Sequence, residues 1–458
     1  MHTKRSLIKS LSPNVLIYGA LILSSVSFIP IGIISVSHAT ELALNETALN
    51  TLSLKQAIQL FELNNRELLS AKLNIEGALA DTTIAGQNPN PVASVGLSSL
   101  NLNLNQGNNN AQHGNSNSLS NKTVMSVLQL SQLFERGNKR DLRLASANEA
   151  LKATQFDYKD TVRQQQLVLL NAYYDLLLAQ EAEKIQSLNV DLYGKSLSSA
   201  EFRFKAGDVS ASDVARINVD TLRSQNDLRQ ALANKQKAQA NLAYLIGKEN
   251  NANEINVAET WPSIDAVNQL KPLNLVNLDN RPDVLAADLR TKQADDLRKL
   301  ANSLKTRDVT VDLAYQHFPG QEPGVGVNTI GATLSFSLFT NYQYQGEIGR
   351  AEVNYNLAQD LKEQTKAFAT GELTKAKADL NSATDRMQRF DEQTLGQAQK
   401  VADAAEFAYK NGAIDVTDLL DARRTLRATQ LDAAISHADF AKSLAAWHAA
   451  TQIEKTND

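Results

Sequence analysis

Glu201-Phe202-Arg203-Phe204-Lys205-Ala206-Gly207 is answered 205 positions later by Glu406-Phe407-Ala408-Tyr409-Lys410-Asn411-Gly412. At the same distance beyond each Gly stands a hydroxyl-Asp-aliphatic triplet, Ser212-Asp213-Val214 and then Thr417-Asp418-Leu419. Leu133-Phe134 and Leu338-Phe339 keep the same interval. The chain is therefore internally duplicated, and a repeat changes what one domain means before length is used to count domains. It divides into a leader (1–39), a first repeat (40–246), a connector (247–281) and a second repeat (282–458).

After the leader, proline occurs only at 89, 91, 262, 272, 282, 319 and 323, so 92–261 and 324–458 have none. Both stretches are rich in Ala, Leu, Gln, Lys, Glu and Asp, which favour helix, and proline would have broken one. Leu167, Leu170, Tyr174 and Leu177, then Ile185, Leu188 and Leu192, keep the 3-and-4 spacing of an apolar seam. The pattern predicts helices over about 53–87, 138–205, 212–246, 282–306, 346–410 and 417–452. A helix from 138 to 205 reaches about 100 Å at 1.5 Å per residue, far more than an ordinary globular core needs.

Ahead of each long helix the period changes to two. Leu100, Leu102 and Leu104 alternate with Asn, and Val124, Leu128 and Leu130 share one parity. In the second repeat Val309, Val311, Leu313 and Tyr315 alternate with polar residues, as do Ile330, Ala332, Leu334, Phe336 and Leu338. These are strands with one apolar and one polar face, each about the length a tilted strand needs to cross a bilayer. The Asn/Gly/Ser/Gln-rich stretch Asn105–Asn121 and the two-proline stretch His317–Asn328 suit hairpin loops. An open sheet edge is untenable in hydrocarbon, and single-chain bacterial barrels start at eight strands, so four strands per chain require several chains in a ring.

Lys4, Arg5 and Lys9 precede an apolar run from Val15 to Val36 that ends in Ser37-His38-Ala39, the pattern of a cleaved secretory signal. Without those three cations, 43 basic residues face 50 acidic ones, a net charge near −7 that argues against nucleic acid as a partner. There is no Cys, hence no disulfide and no lipid-bearing Cys after the signal. His113, His317, His437 and His448 are scattered, so no zinc or copper site, no cofactor and no catalytic constellation is expected.

The signal, the duplicated helix-strand-strand-helix unit and the paired breaks Lys205–Val214 and Lys410–Ala422 together resemble the TolC family of outer-membrane efflux channels, over about Leu52 to Ile453. The resemblance implies a mainly α protein with membrane β: a homotrimer with a 12-stranded barrel, four strands per chain, continued by a periplasmic α-helical barrel. It implies a passive export duct in contact with outer-membrane lipid, a periplasmic adaptor and an inner-membrane RND-type pump. It places an adaptor-contacting tip at Ala206, Gly207, Asp208, Asn411, Gly412 and Ala413. It also places a periplasmic gate of acidic side chains at Asp418 and Asp421, with Asp213 at the matching position of the first repeat and Arg423 and Arg424 as partners. A capping role for Thr417, Asp418 and Asp213 is the simpler alternative.

Phe134, Phe339, Tyr342 and Tyr344 gather at one end of the strands, suiting either the bilayer interface or packing at the strand–helix junction. Glu135-Arg136-Gly137-Asn138-Lys139-Arg140 and Gln345-Gly346-Glu347-Ile348 resemble the CzcC-like heavy-metal branch, with Asn138 where that branch has a second Gly. Divalent metal ions are then the cargo, selected by the pump. Multidrug efflux, type I secretion and a periplasmic coiled-coil scaffold or adaptor are the alternatives.

Overall fold

A computed structural model describes residues 46–98, 125–258, 261–268, 277–317 and 328–452. The expected leader, the loop 105–121 and positions 318–327 of the second loop lie outside the described residues, as do the strand residues 99–104 and 122–124. In chain order the elements are α1 (Leu54–Asn64), α2 (Arg66–Ala85), β1 (Val92–Ser98), β2 (Met125–Phe134), α3 (Lys139–Lys205), α4 (Ala211–Ile246) and a short α5 (Asp265–Asn268). Then follow α6 (Pro282–Ser303), β3 (Val309–His317), β4 (Asn328–Ser335), α7 (Gln345–Arg389), α8 (Leu395–Lys410) and α9 (Val416–Thr451). Helices α4 and α9 are each 36 residues long and start 205 positions apart. The fold is TolC-like: mainly α, with a four-stranded membrane-type sheet.

Three expected boundaries differ. The helix expected over 53–87 is two helices, broken at Asn65, whose extended backbone (φ −64°, ψ 124°) frees its side chain to accept from the Glu67 and Leu68 N–H groups at 3.1 Å. Asn competes with the backbone in this way, and its amide also donates to the Leu245 carbonyl at the end of α4 (3.3 Å). The helix expected over 346–410 contains a π-helical turn, Phe390–Thr394. Strand β4 stops at Ser335, short of Phe336 and Leu338, because its partner β3 begins at Val309 and the last pair is Thr310 with Ser335.

The sheet runs β1-β2-β3-β4, every pair antiparallel. Its register places Val95, Leu128, Tyr315 and Ile330 abreast, and beside them Ala93, Leu130, Leu313 and Ala332. These form one apolar face, whose large side chains are exposed in the single chain. The other face is polar. There Asp312 accepts from Ser131 Oγ (2.5 Å), Gln129 Nε2 (3.1 Å) and Ser335 Oγ (3.4 Å), tying three strands together. Among the described residues no helix is long and apolar enough to cross a membrane.

Each repeat has its own helical core. Phe61, Leu68, Leu169, Tyr173, Leu176, Leu242 and Ile246 pack in the first, and Leu373, Leu380, Met387, Phe440, Leu444 and Trp447 in the second. The repeats are joined by buried charge. Arg281, fully buried at the start of α6, donates to Asp283 (2.8 and 2.6 Å) and lies 2.9 Å from Glu372 of α7. Arg163 of α3 pairs with Asp160 (2.8 Å) and the same Glu372 (3.4 Å), and donates to the Ala449 carbonyl of α9 (3.3 Å). Burial by itself lowers the Arg281 pKa, but the Asp283 and Glu372 carboxylates outweigh it and hold the guanidinium above its ordinary value.

Removing one partner from such a cluster strands the others. Arg281→Ala is expected to cost about 3–5 kcal/mol, seen as a lower denaturant midpoint by circular dichroism. A midpoint equal to wild type means the cluster is not a fastening.

Candidate gate and docking tip

Both Gly breaks end a helix in the same way. After α3, Gly207 N–H donates to the Phe204 carbonyl and Asp208 N–H to the Arg203 carbonyl, each at 2.9 Å. After α8, Gly412 N–H donates to Tyr409 (3.1 Å) and Ala413 N–H to Ala408 (2.9 Å). This doubled bond pattern is a Schellman cap, which needs a left-handed residue at its corner. Gly207 has φ 81° and Gly412 φ 73°, and a Cβ on either would meet nothing within 4 Å. Backbone conformation, not crowding, therefore selects glycine at both.

The helices that leave the turns are capped differently. Ser210 and Asp213 form a reciprocal capping box, with Asp213 N–H to Ser210 Oγ at 3.1 Å and Ser210 N–H to Asp213 Oδ2 at 3.3 Å. In the second repeat the cap is Asp415, which accepts from the Thr417 (2.8 Å) and Asp418 (3.0 Å) N–H groups. The capping role suggested for Thr417 and Asp418 thus falls to Asp415, because α9 starts at Val416. Asp213 is committed to its own helix end, while the exposed Asp418 carboxylate has no ion pair among the described residues.

The two turns meet around a hollow of 470 Å³ lined from both repeats, including Gly207, Asp208, Asp213, Gly412 and Asp415. Arg203 spans it, pairing with Asp208 (2.9 Å) and lying 5.6 Å from the centre of the Tyr409 ring. Beneath it, Tyr193, Ala200, Ile217, Val416 and Leu420 form a small core. On the surface, Phe202 and Phe407 occupy equivalent positions and are 75% and 72% exposed. Phe202 stays exposed although α3 is flanked by α4 and α9 in the same chain.

Arg423 and Arg424 have different partners. Arg424 binds Asp421 (2.9 Å) and, across to α4, both oxygens of Asp220 (2.9 and 2.7 Å). The Asp220 hydrogen bond raises the Arg424 pKa above its ordinary value. Arg423 is buried and reaches neither Asp418 nor Asp421. It donates to Ser196 Oγ of α3 (2.6 Å) and pairs with Glu406 of α8 (3.3 Å), so its expected partnership with the acidic pair is corrected. Arg216 to Thr417 Oγ1 (2.6 Å) and Arg427 to Asp227 extend the α4–α9 links. Sequence reading missed Asp220, Asp227, Arg216 and Arg427. The available signal was the chain of acidic and basic residues at helical spacing on both helices.

At the far end of the long helices, Gly137 (φ 76°) sits where a Cβ would come within 2.8 Å of Thr306. Asn138 is left-handed (φ 57°), a conformation Asn tolerates, which explains how it stands in for glycine there. Tyr344 precedes α7 with φ 62°, held in an edge-on contact with Phe339 (5.3 Å) and against Tyr342 (6.0 Å). These three rings pack at the strand–helix junction, whereas Phe134 is exposed at the end of β2. Within the Glu135–Arg140 stretch, Lys139 pairs with Asp308 across the repeats (2.8 Å) and Glu135 with Arg143 (2.5 Å). Among the described residues no group of three or more His, Cys, Asp or Glu could hold a metal ion.

A duplicated helical unit, a one-sided apolar sheet and paired capped turns define a channel subunit rather than an enzyme. The chain belongs to the outer membrane efflux protein family, whose profile matches residues 57–248 and 276–450, each stretch covering most of one repeat. It is similar to the cobalt-zinc-cadmium resistance protein CzcC of Cupriavidus metallidurans (26% identity, covering 66% of this chain and 71% of that one). It is also similar to the pyoverdine export outer membrane protein OpmQ of Pseudomonas aeruginosa (29% identity, 81% and 79%). The solved structure of CusC superposes with a TM-score of 0.73 at 18% identity, covering 87% of this chain and 92% of that one.

Two predictions concern the tip. Gly207→Ala and Gly412→Ala each cost about 1 kcal/mol from backbone strain alone, read as faster amide exchange at the turn; unchanged exchange would contradict the strain. Burial raises the Glu406 pKa, but Lys410 and Arg423 outweigh it and hold the carboxylate below its ordinary 4.5. Its stabilising contribution is therefore full above about pH 4.5 and lost as pH falls through the lower folded value. Glu406→Gln is expected to loosen the α8–α9 end at neutral pH and to flatten its acid response in limited proteolysis; an unaltered pH profile rules this out.

Proposed function

We propose that this outer-membrane protein closes with two further copies into a 12-stranded barrel and a helical tunnel that serves as a passive export duct. The observation that carries the reading is a pair of matching open ends in both layers. Among the described residues β1 and β4 are each paired on one side only. In the helical layer, α2 exposes Leu69, Leu73 and Ile84, and α7 exposes Val353, Leu357 and Leu361 at helical spacing. Closing the ring joins β4 to the next β1 and α7 to the next α2, satisfying backbone groups and apolar stripes in one step.

The leader 1–39 exports the chain, and the mature protein carries no lipid. A periplasmic adaptor docks on Ala206, Gly207, Asp208, Asn411, Gly412 and Ala413, an inner-membrane RND-type pump supplies the drive, and Asp418 and Asp421 line the entrance, favouring cations. Divalent metal cations are the cargo, a reading supported by the similarity to CzcC. The similarity to OpmQ, over more of the chain, supports siderophore export as the second reading.

Three results test this. Extraction from the outer membrane is expected to yield a heat-modifiable, detergent-requiring trimer; a soluble protein fits the scaffold reading instead. A strain lacking the chain is expected to become sensitive to zinc, cobalt and cadmium, whereas loss of siderophore from the medium with metal tolerance intact moves the assignment to the second reading. Replacing Asp418 and Asp421 together by Ala is expected to raise single-channel conductance and weaken cation preference in planar bilayers. Unchanged conductance removes both from the entrance.

A further inference from the structure

Helices α4 and α9 enclose a groove of 460 Å³ near the tip. Its lining comes from these two helices. The apolar part is Ala215, Val219 and Leu420, and around it stand three guanidinium groups, Arg216, Arg223 and Arg424. Only one carboxylate, Asp220, lines the same groove.

The three arginines are unequally satisfied. Arg424 is bound on both sides, by Asp220 and Asp421. Asp220 is almost fully buried beneath it and is 3.6 Å from Arg223, whose side chain is 68% exposed. Arg216 has no carboxylate within ion-pair distance among the described residues; it donates to the neutral Thr417 hydroxyl. Arg216 and Arg223 lie seven residues apart on α4 and so share a face about 10 Å apart along the helix. Two incompletely neutralised guanidiniums thus flank an apolar strip.

We propose that this groove binds a small organic anion, a carboxylate-bearing molecule whose apolar body lies on Val219 and Leu420 while Arg216 and Arg223 hold its charged groups. Guanidinium suits this because its planar fork meets a carboxylate through two parallel N–H···O bonds. Arg216 and Arg223 belong to α4 and the Thr417–Arg424 wall to α9, so a bound anion bridges the two repeats and stiffens the tip against separation. The site is independent of the metal or siderophore reading, since cargo does not enter the argument.

The test uses the purified full-length channel in detergent, with phthalate as the aromatic dicarboxylate probe, its uncharged diamide, and sulfate. Saturable phthalate binding by calorimetry is expected, with slower amide exchange in α4 and α9 and no binding of the diamide. Arg216→Gln and Arg223→Gln, both at exposed positions, are each expected to weaken phthalate about tenfold, the loss of one charge-assisted contact, while circular dichroism and trimer content stay unchanged. Absence of saturable binding to the wild-type channel overturns the proposal, as does equal affinity in folded variants. Sulfate binding as tightly as phthalate removes the role given to the apolar strip and overturns the assignment to an organic anion.

Discussion

A peptide group placed in hydrocarbon must be hydrogen-bonded by another peptide group, and four strands in a row leave two edges that cannot be. That constraint organises the rest of the molecule. The duplication supplies two hairpins, and β2 pairs with β3 across the repeat boundary, so the sheet is continuous between copies. Among the described residues what remains open is one edge at β1 and one at β4, and the helical layer repeats the same arithmetic in side chains. In the buried cluster of Arg281, Arg163 and Glu372, the Arg163–Glu372 pair crosses from one copy to the other.

How much of this was legible in sequence follows from the range of each signal. The Gly breaks, the long seam and the period-two parity are local, and α3 occupies 139–205 where 138–205 was expected. A capping role for Asp213 was likewise expected from spacing, though its partner Ser210 was not named. The break at Asn65 was harder to see, because it depends on Leu245, 180 positions away, to satisfy the side chain. The Arg424–Asp220 bond crosses 204 positions and the Arg163–Glu372 contact 209, so local spacing can mark a charged helix face but not which partner each charge takes. The π-helical turn at Phe390–Thr394 has neither Gly nor Pro to announce it.

Arg423 and Arg424 show why adjacency in sequence is a poor guide to partnership. Neighbours on a helix point about 100° apart. One guanidinium therefore enters the seam between α3 and α8, and the other turns into the groove with α4. Asp418 and Asp421, three residues apart, share a face of α9, yet the first is left unpaired among the described residues and the second is held by Arg424. Four residues that read as one charged cluster in sequence thus occupy three different surroundings.

Phe202 and Phe407 are exposed to nearly the same degree at positions related by the duplication. For a molecule approaching the tip, the chain is then not the repeating unit; the half-chain is. A visitor that recognised only these rings would register twice as many stations as there are subunits. It could distinguish the halves only where the copies diverge, as at Arg203 against Ala408, Phe204 against Tyr409, Ala206 against Asn411 and Asp208 against Ala413.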